Sequence, residues 1–307
     1  MRTILITGAR APISFEFLRS FHKSGFKVIL ADSLKFPFTR WSNKIHKYYL
    51  LPPPKSKTIE FINAIRKIIK TEQVDHLIPT CEEVFYISMY KSELDCKVWT
   101  EEIELLNALH NKYLFSRTAK PFLTVPETIR LSDFSDWANS DQYVFKPTYS
   151  RFATSTILGK KIKSTHFKED ETDRWIAQKF IEGKEICIYS IWDEGNLKAI
   201  IGYYPLYRSG QGAGIYFKPL QNPQIFNLVK TFGEHLNYTG QLAFDVIVDK
   251  NEKPYFIECN PRGTSGAHLL ENQLANCFIS NAMPSIGKTE YSIKSLLGIY
   301  HPFALFK

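Results

Sequence analysis

The sequence predicts an α/β domain, doubly wound around a parallel sheet, followed by an α+β region of mostly antiparallel strands. Over residues 1–110, short apolar runs alternate with helical spacings of apolar residues, which implies parallel strands joined by crossover helices. Beyond Pro121, strand-like runs follow one another across turns with few helices between them. The chain of 307 residues is 44% apolar, with 23 Phe and 16 Tyr, so it is long enough and apolar enough for two or three packed domains.

Residues 3–7 and 26–31 read as buried strands, and Ile13, Phe17, Leu18 and Phe21 between them share a helical face. A proline-rich linker covers 50–54. A helix over 58–70 presents Ile62, Ile65 and Ile69, and a strand follows at 76–79. The second region offers strand runs at 127–131, 142–146, 154–158, 175–180, 185–191 and 197–205. A helix over 223–236 precedes a hairpin formed by 240–248 and 253–258. No internal repeat or low-complexity segment interrupts this order.

Composition narrows the function. No run of about 18 apolar residues is present to span a bilayer, and the first eight residues read as a strand, not a secretory signal. The five cysteines (Cys81, Cys96, Cys187, Cys259, Cys277) are odd in number and lack CxxC spacing, so a reducing cytoplasm is expected. The net charge of +8 is dispersed, which favours small anionic ligands over nucleic acid.

Gly8 follows a strand and opens a helix, and Asp32 ends the next strand where a ribose-binding acid is sought. Yet Gly8-Ala9-Arg10-Ala11-Pro12-Ile13 lacks the second and third glycines that a dinucleotide turn needs for pyrophosphate approach and helix packing. The fold signal survives there. An NAD(P)-binding oxidoreductase remains a rival reading on that turn.

The chemistry concentrates near the end of the chain. Asp245 in Phe244-Asp245-Val246-Ile247-Val248 and Glu258 in Tyr255-Phe256-Ile257-Glu258-Cys259-Asn260-Pro261-Arg262 each interrupt an apolar strand, where an unpaired carboxylate is costly. Glu258 and Asn260 share a strand face. A hairpin loop centred between Asn251 and Glu252 sets Asp245 opposite Glu258. Two carboxylates that close call for a cation, and all-oxygen donors suit magnesium. The alternative is a hairpin whose acids pair with surface lysines.

Two weaker signals precede it. Lys146 ends the apolar strand Tyr143-Val144-Phe145 and offers a point charge for phosphate, with Arg151 in the hydroxyl-rich stretch after it. Gln178, Lys179, Phe180 and Ile181 lead into a glycine-containing hinge whose backbone suits an adenine edge, and Glu185 beyond it suits ribose hydroxyls.

Phosphate lysine, adenine hinge, sugar-binding glutamate, aspartate strand and Glu-x-Asn strand follow in one chain direction. In that order the chain resembles the ATP-grasp superfamily, above all carboxylate–amine ligases and the large-subunit type of carbamoyl phosphate synthase. The resemblance implies a Rossmann-like pre-ATP-grasp domain over 1–115, a small lobe over 116–190 and a large lobe with the metal site over 191–307. It implies ATP and two magnesium ions, or manganese. Lys112 and Lys146 would then hold phosphates, residues 178–181 adenine, Glu185 ribose, and Asp245, Glu258 and Asn260 the metal, with Arg262 at the transferred phosphoryl group. The implied reaction is amide formation, or its thiol counterpart, through an acyl phosphate, with release of ADP and phosphate.

Two departures stand out. The stretch 148–155 has no glycine where the family's phosphate loop is rich in it, and Gln178 replaces a common acid. The implied partners are a small carboxylate and a small amine, with no nucleic acid or membrane, and a homodimer is compatible. Glu82 and Glu83 at a strand end, Arg208 in a glycine-rich run, and Gly263 and Ser265 after the metal strand are candidate substrate contacts. A non-catalytic ATP-binding protein and a ligase acting on a peptide tail are the other rivals.

Overall fold

The computed structural model of the chain describes residues 1–150, 156–159, 162–208 and 214–280. Five consecutive buried residues, Thr3–Thr7, form β1 at the centre of the first sheet, where both faces are covered and no polar alternation is needed. Helix α1 (Pro12–Lys23) begins on a proline and buries Ile13, Phe17, Leu18 and Phe21 along one face. Strand β2 (Lys27–Asp32) runs parallel to β1, and β3 (Lys47–Leu50) adds an edge. The sequence predicts a linker from residue 50, whereas Leu50 is the last residue of this strand.

Helix α2 (Thr58–Glu72) buries Phe61, Ile62, Ile65, Ile68 and Ile69 and stops at Gln73, whose φ of 52° is a left-handed cap. Next come β4 (His76–Ile78), α3 (Glu83–Ser88) and β5 (Lys97–Val98), giving a parallel sheet ordered β3-β2-β1-β4-β5. Leu5, Ile29 and Leu77 pack with α2 on one face, whereas Ile4, Ile6 and Leu30 pack with α1 on the other. The domain is doubly wound, as the sequence predicts.

Two short helices lead out of it, α4 (Ile103–His110) and α5 (Lys112–Ala119). Asn111 caps α5 by accepting from the amides of Tyr113 and Leu114 at 3.1 and 3.0 Å. Strands β6 (Thr128–Arg130), β7 (Tyr143–Pro147), β8 (Ile157–Leu158) and β9 (Trp175–Lys179) then form a small antiparallel sheet ordered β6-β9-β7-β8. Its own aromatic core includes Trp137 stacked on Phe145 with centroids 5.7 Å apart.

A larger antiparallel sheet follows, built from β10 (Lys184–Asp193), β11 (Asn196–Arg208), β12 (Gly214–Leu220), β13 (Gly240–Val248) and β14 (Pro254–Asn260). Its order is β12-β11-β10-β13-β14, and α6 (Pro223–His235) packs behind it. Strand β10 lies wholly in this sheet, so the turn at 180–183 divides the two sheets, ahead of the boundary expected at 190. A 3-10 segment at Ser265–Gln273 and the one-turn α7 (Asn276–Ile279) bring the chain back onto α1, where Phe278 joins Phe17 and Phe21. No helix among the described residues is long and apolar enough to cross a membrane.

Candidate active site

The hairpin of β13 and β14 turns about Asn251, with Val248 paired to Pro254 and Val246 to Phe256. Continued unchanged, that register sets Asp245 against Ile257 and aims Glu258 at the core beside Phe244. A bulge between Asp245 and Val246 prevents this. Ile257 becomes the extra residue, Glu258 pairs with Asp245, and Cys259 takes the core position opposite Phe244. Asp245 therefore faces Glu258 as the strand pattern predicts, but through a bulge and not through a loop centred between Asn251 and Glu252. Asn260 joins them, its Nδ2 donating to Asp245 Oδ2 at 3.3 Å while Arg262 Nη2 donates to its Oδ1 at 3.2 Å.

Two lysines from different elements converge on this acid. Lys112, in the first turn of α5, is only 1% exposed, and its Nζ lies 3.2 Å from Glu258 Oε2. Lys146, from β7 of the small sheet, is buried as well. Burial pushes the Lys146 ammonium down to about 8, against the attraction of Glu258 and Asp245. Burial also opposes the charge on Glu258, yet Lys112 and Lys146 hold its carboxyl below the ordinary value. His110, which the sequence does not single out, precedes the Asn111 cap. Burial, then Lys112 and Arg262, push its imidazole down to about 4, so it stays neutral between Phe85 and Tyr149.

The hinge is narrower than the sequence suggests. The amide of Lys179 donates to Glu127 O and that of Phe180 to Gln142 O, both at 2.8 Å, and Lys179 Nζ donates to Gln142 Oε1 at 2.6 Å. These groups are engaged within the small sheet and are not open to a ligand's edge. Gln178 is buried and donates to Thr128 Oγ1 at 3.0 Å. Glu185 comes next to Asp245, and one ligating atom each of Glu185, Cys187 and Asp245 lies within 4.8 Å of the others. Cys187, opposite Asp245 in the register, donates its thiol to Asp245 Oδ1 at 3.3 Å.

Arg262 turns toward the first domain. Its Nε lies 3.1 Å from Glu82 Oε1, so Glu82 meets the cleft through this arginine. Glu83 does not face the cleft, which corrects its candidacy as a substrate contact. Its Oε1 accepts from Thr7 Oγ1 and from the amides of Thr80 and Cys81 at 2.8, 3.0 and 3.2 Å, because it closes the loop at the end of β4. That carboxylate also lies beneath Gly8, where a Cβ would come 2.6 Å from both Glu83 Oε1 and Thr80 Oγ1. Asp32 is taken by the Arg10 side chain and, at 2.7 Å, by the Arg10 amide. The turn that resembles a dinucleotide site is thus filled by the protein's own side chains. Gly263 and Ser265 do line the cleft. Arg151 and the Arg208 side chain lie outside the described residues.

Of these groups, Lys146, Glu185, Cys187 and Asn260 border one cavity of about 490 Å³, running from Val144, Gln178 and Ile181 past Asp245 and Glu258 to Arg262, Ser265 and the first turn of α1. A sequence model described as the ATP-grasp domain matches residues 109–266, slightly more than half of the chain and the span that carries this cavity's charged residues. The chain belongs to the ATP-grasp family. No curated protein sequence matches it.

The ATP-grasp fold extends to solved structures at low identity. L-amino acid ligase from Bacillus licheniformis superposes with a TM-score of 0.66 at 16% identity, over 89% of this chain and 70% of that one. Biotin carboxylase from Campylobacter jejuni gives 0.68 at 15%, over 92% and 72%. N5-carboxyaminoimidazole synthetase from Staphylococcus aureus, complexed with ADP, gives 0.67 at 16%, over 87% and 72%. In this ATP-grasp chain Asp245 and Glu258, opposed carboxylates on neighbouring strands, fit a magnesium ion, a hard cation that takes oxygen donors, while Asn260 Oδ1 accepts from Arg262.

Proposed function

We propose that the protein is a magnesium- and ATP-dependent ligase that joins a small carboxylic acid to an amine through an acyl phosphate. The observation that carries this reading is the meeting of two buried lysines from separate elements at Glu258, in a cavity that also holds Asp245, Asn260 and Arg262. Positive charge at a carboxylate hairpin serves a polyphosphate with its cation better than it serves the fold, where two buried lysines cost desolvation.

Phosphoryl transfer depends on positioning and charge neutralisation. Lys112 and Lys146 would hold the phosphates, the Ile181 amide the adenine edge and Glu185 the ribose, while Val144, Ile247 and Ile257 supply apolar walls for the base. Asp245, Glu258 and Asn260 would hold magnesium, which neutralises phosphate charge when bound. A carboxylate oxygen of the substrate attacks the γ-phosphorus, the bond to the β–γ bridging oxygen breaks, and ADP leaves. Arg262 sits where it can hold the acid and its phosphorylated form. The amine nitrogen then attacks the acyl carbon, phosphate departs with the former carboxylate oxygen, and the nitrogen loses a proton. Cys259 takes no part, because it is buried in the core behind the sheet.

The filled Gly8 turn and the Arg10–Asp32 pair speak against nicotinamide binding. A cytoplasmic location belongs to the same proposal, given the free cysteines. The test is release of ADP and phosphate from Mg-ATP against pools of carboxylic acids with amines. Acid-dependent ADP release is expected, and AMP with pyrophosphate would overturn the acyl-phosphate route.

A further inference from the structure

The cleft changes character along one row of paired residues. Glu258 pairs with Asp245, Asp245 with Cys187, and Cys187 with Tyr203 on four neighbouring strands. Strands lie about 5 Å apart, so Tyr203 stands about 10 Å along the sheet from Asp245. That is the reach of a small molecule's body beyond its reacting carboxylate. From Tyr203 onward, one wall is Phe217 and Pro205, with the Phe217 ring edge-on to Tyr203 at 5.1 Å. Ala11, Pro12 and Ile13 of the first domain also line the cavity, and Ile13 shares a core with Tyr203 and Phe217. The acids among the described lining residues, Glu185, Asp245 and Glu258, belong to the row's other end, and Arg262 lines the same cavity. Burial holds the Tyr203 hydroxyl protonated well beyond the ordinary range, so it is neutral.

We infer that this chamber takes a carboxylic acid with an uncharged, mainly apolar body, its carboxylate at Arg262 and its body between Tyr203, Phe217 and Ile13. The inference rests on the ligase reading for the carboxylate's role. An ammonium or a second carboxylate on the body would meet rings, aliphatic carbons and the neutral hydroxyls of Tyr203, Thr264 and Ser265, while the lining acids stand with the metal and sugar groups at the row's other end. The depth of the chamber is fixed from behind. A side chain at Gly266 would run into the Tyr203 ring, so glycine there lets the ring lie back against the chain. Gly266 and Phe217 are therefore the specificity-determining positions.

The experiment measures binding of size-matched acids to the full chain with magnesium and a non-hydrolysable ATP analogue, by calorimetry. A branched aliphatic acid is expected to bind on the order of 100-fold more tightly than a dicarboxylate or an acid with a terminal ammonium. Phe217→Leu should shift preference toward a larger body and Gly266→Ala toward a smaller one, while the nucleotide analogue binds each protein alike. Charged acids binding as well as aliphatic ones would overturn the inference, as would nucleotide binding with no acid binding at all. An aliphatic acid that binds tightly yet never elicits ADP from ATP supports the chamber and removes the ligase reading instead.

Discussion

At the scale of single residues, Glu258 is the side chain on which the cleft's electrostatics turn. Burial disfavours its charge, and Lys112 and Lys146 restore it. Replacing it with glutamine keeps the shape but leaves two buried lysines without their counter-charge. Glu258→Gln and Asp245→Asn are each expected to lower acid-dependent ADP formation by about 100- to 1,000-fold. Steady-state assays across magnesium concentrations check this, and unchanged rates in both would remove the hairpin from the chemistry. Glu72, far from the cleft, offers a separate test. Lys27, then the Tyr49 hydroxyl and Lys47, hold its carboxyl down at about 2. A lowered carboxyl stabilises the fold above its ordinary value of 4.5, and that contribution fades as pH falls from there toward 2. Glu72→Gln should therefore cost about 1 kcal/mol at pH 7, a modest figure because water screens Lys47, and almost nothing near pH 2. Urea midpoints at the two pH values measure it. The sequence reveals Asp245, Glu258 and Lys146 because charges stand out inside apolar strands. It hides Cys187 and Tyr203, which look like ordinary core residues until the register brings them to the cleft. It misplaces Glu83 because two adjacent acids at a strand end look alike, and only the loop geometry decides which one turns inward.

At the scale of elements, the bulge at Ile257 and the hinge at 180–183 shape the nucleotide end. Strict alternation places consecutive residues on opposite faces, yet Ile257 and Glu258 both line the cleft. The bulge puts them on one side, setting an apolar residue beside the acid. No glycine marks it in the sequence, which is why the pairing of Asp245 with Glu258 is legible there but its route is not. Strands β13 and β10 show clearly because they are long and apolar, whereas β3 and β5 are short edges whose order comes from their neighbours. The hinge rests directly on the large sheet. A side chain on Gly183 would press into the Val248 carbonyl, so Gly183→Ala must lift the hinge and carry Ile181 with it. The expected result is about a 10-fold loss of nucleotide affinity with little change in turnover at saturation. Equilibrium titration with a fluorescent ATP analogue reads the first, and assays at high ATP the second. An unchanged affinity would mean that the hinge does not contact the base.

At the scale of the whole molecule, the first domain is part of the cleft and not an appendage to it. Its helix α1 shares a core with Tyr189 and Ile201 of the large sheet and with Phe278 near the end of the described chain. Gln241 of β13 donates to Pro79 O at the exit of β4 and accepts from Tyr189, each at 2.8 Å, which ties the two sheets at the level of the metal strand. Gly263 lies in that junction. A Cβ there would come 2.8 Å from both Gln241 Oε1 and Ile13 Cδ1, and 3.2 Å from Thr80 O, three groups on three different elements. The Thr80 carbonyl is backbone and the other two are held by packing, so Gly263→Ala has to push the first domain away from the large sheet. Overpacking of this kind costs about 1–3 kcal/mol. Because Ile13 lines the chamber proposed for the acid while the proposed adenine end belongs to the other two sheets, the displacement should weaken the acid's binding about 10-fold or more and spare the nucleotide. Calorimetry with the nucleotide analogue, first alone and then with a bound acid, separates the two effects. Equal losses for both ligands would show that the domains respond as one rigid unit and that the first domain shapes the nucleotide end as much as the acceptor end.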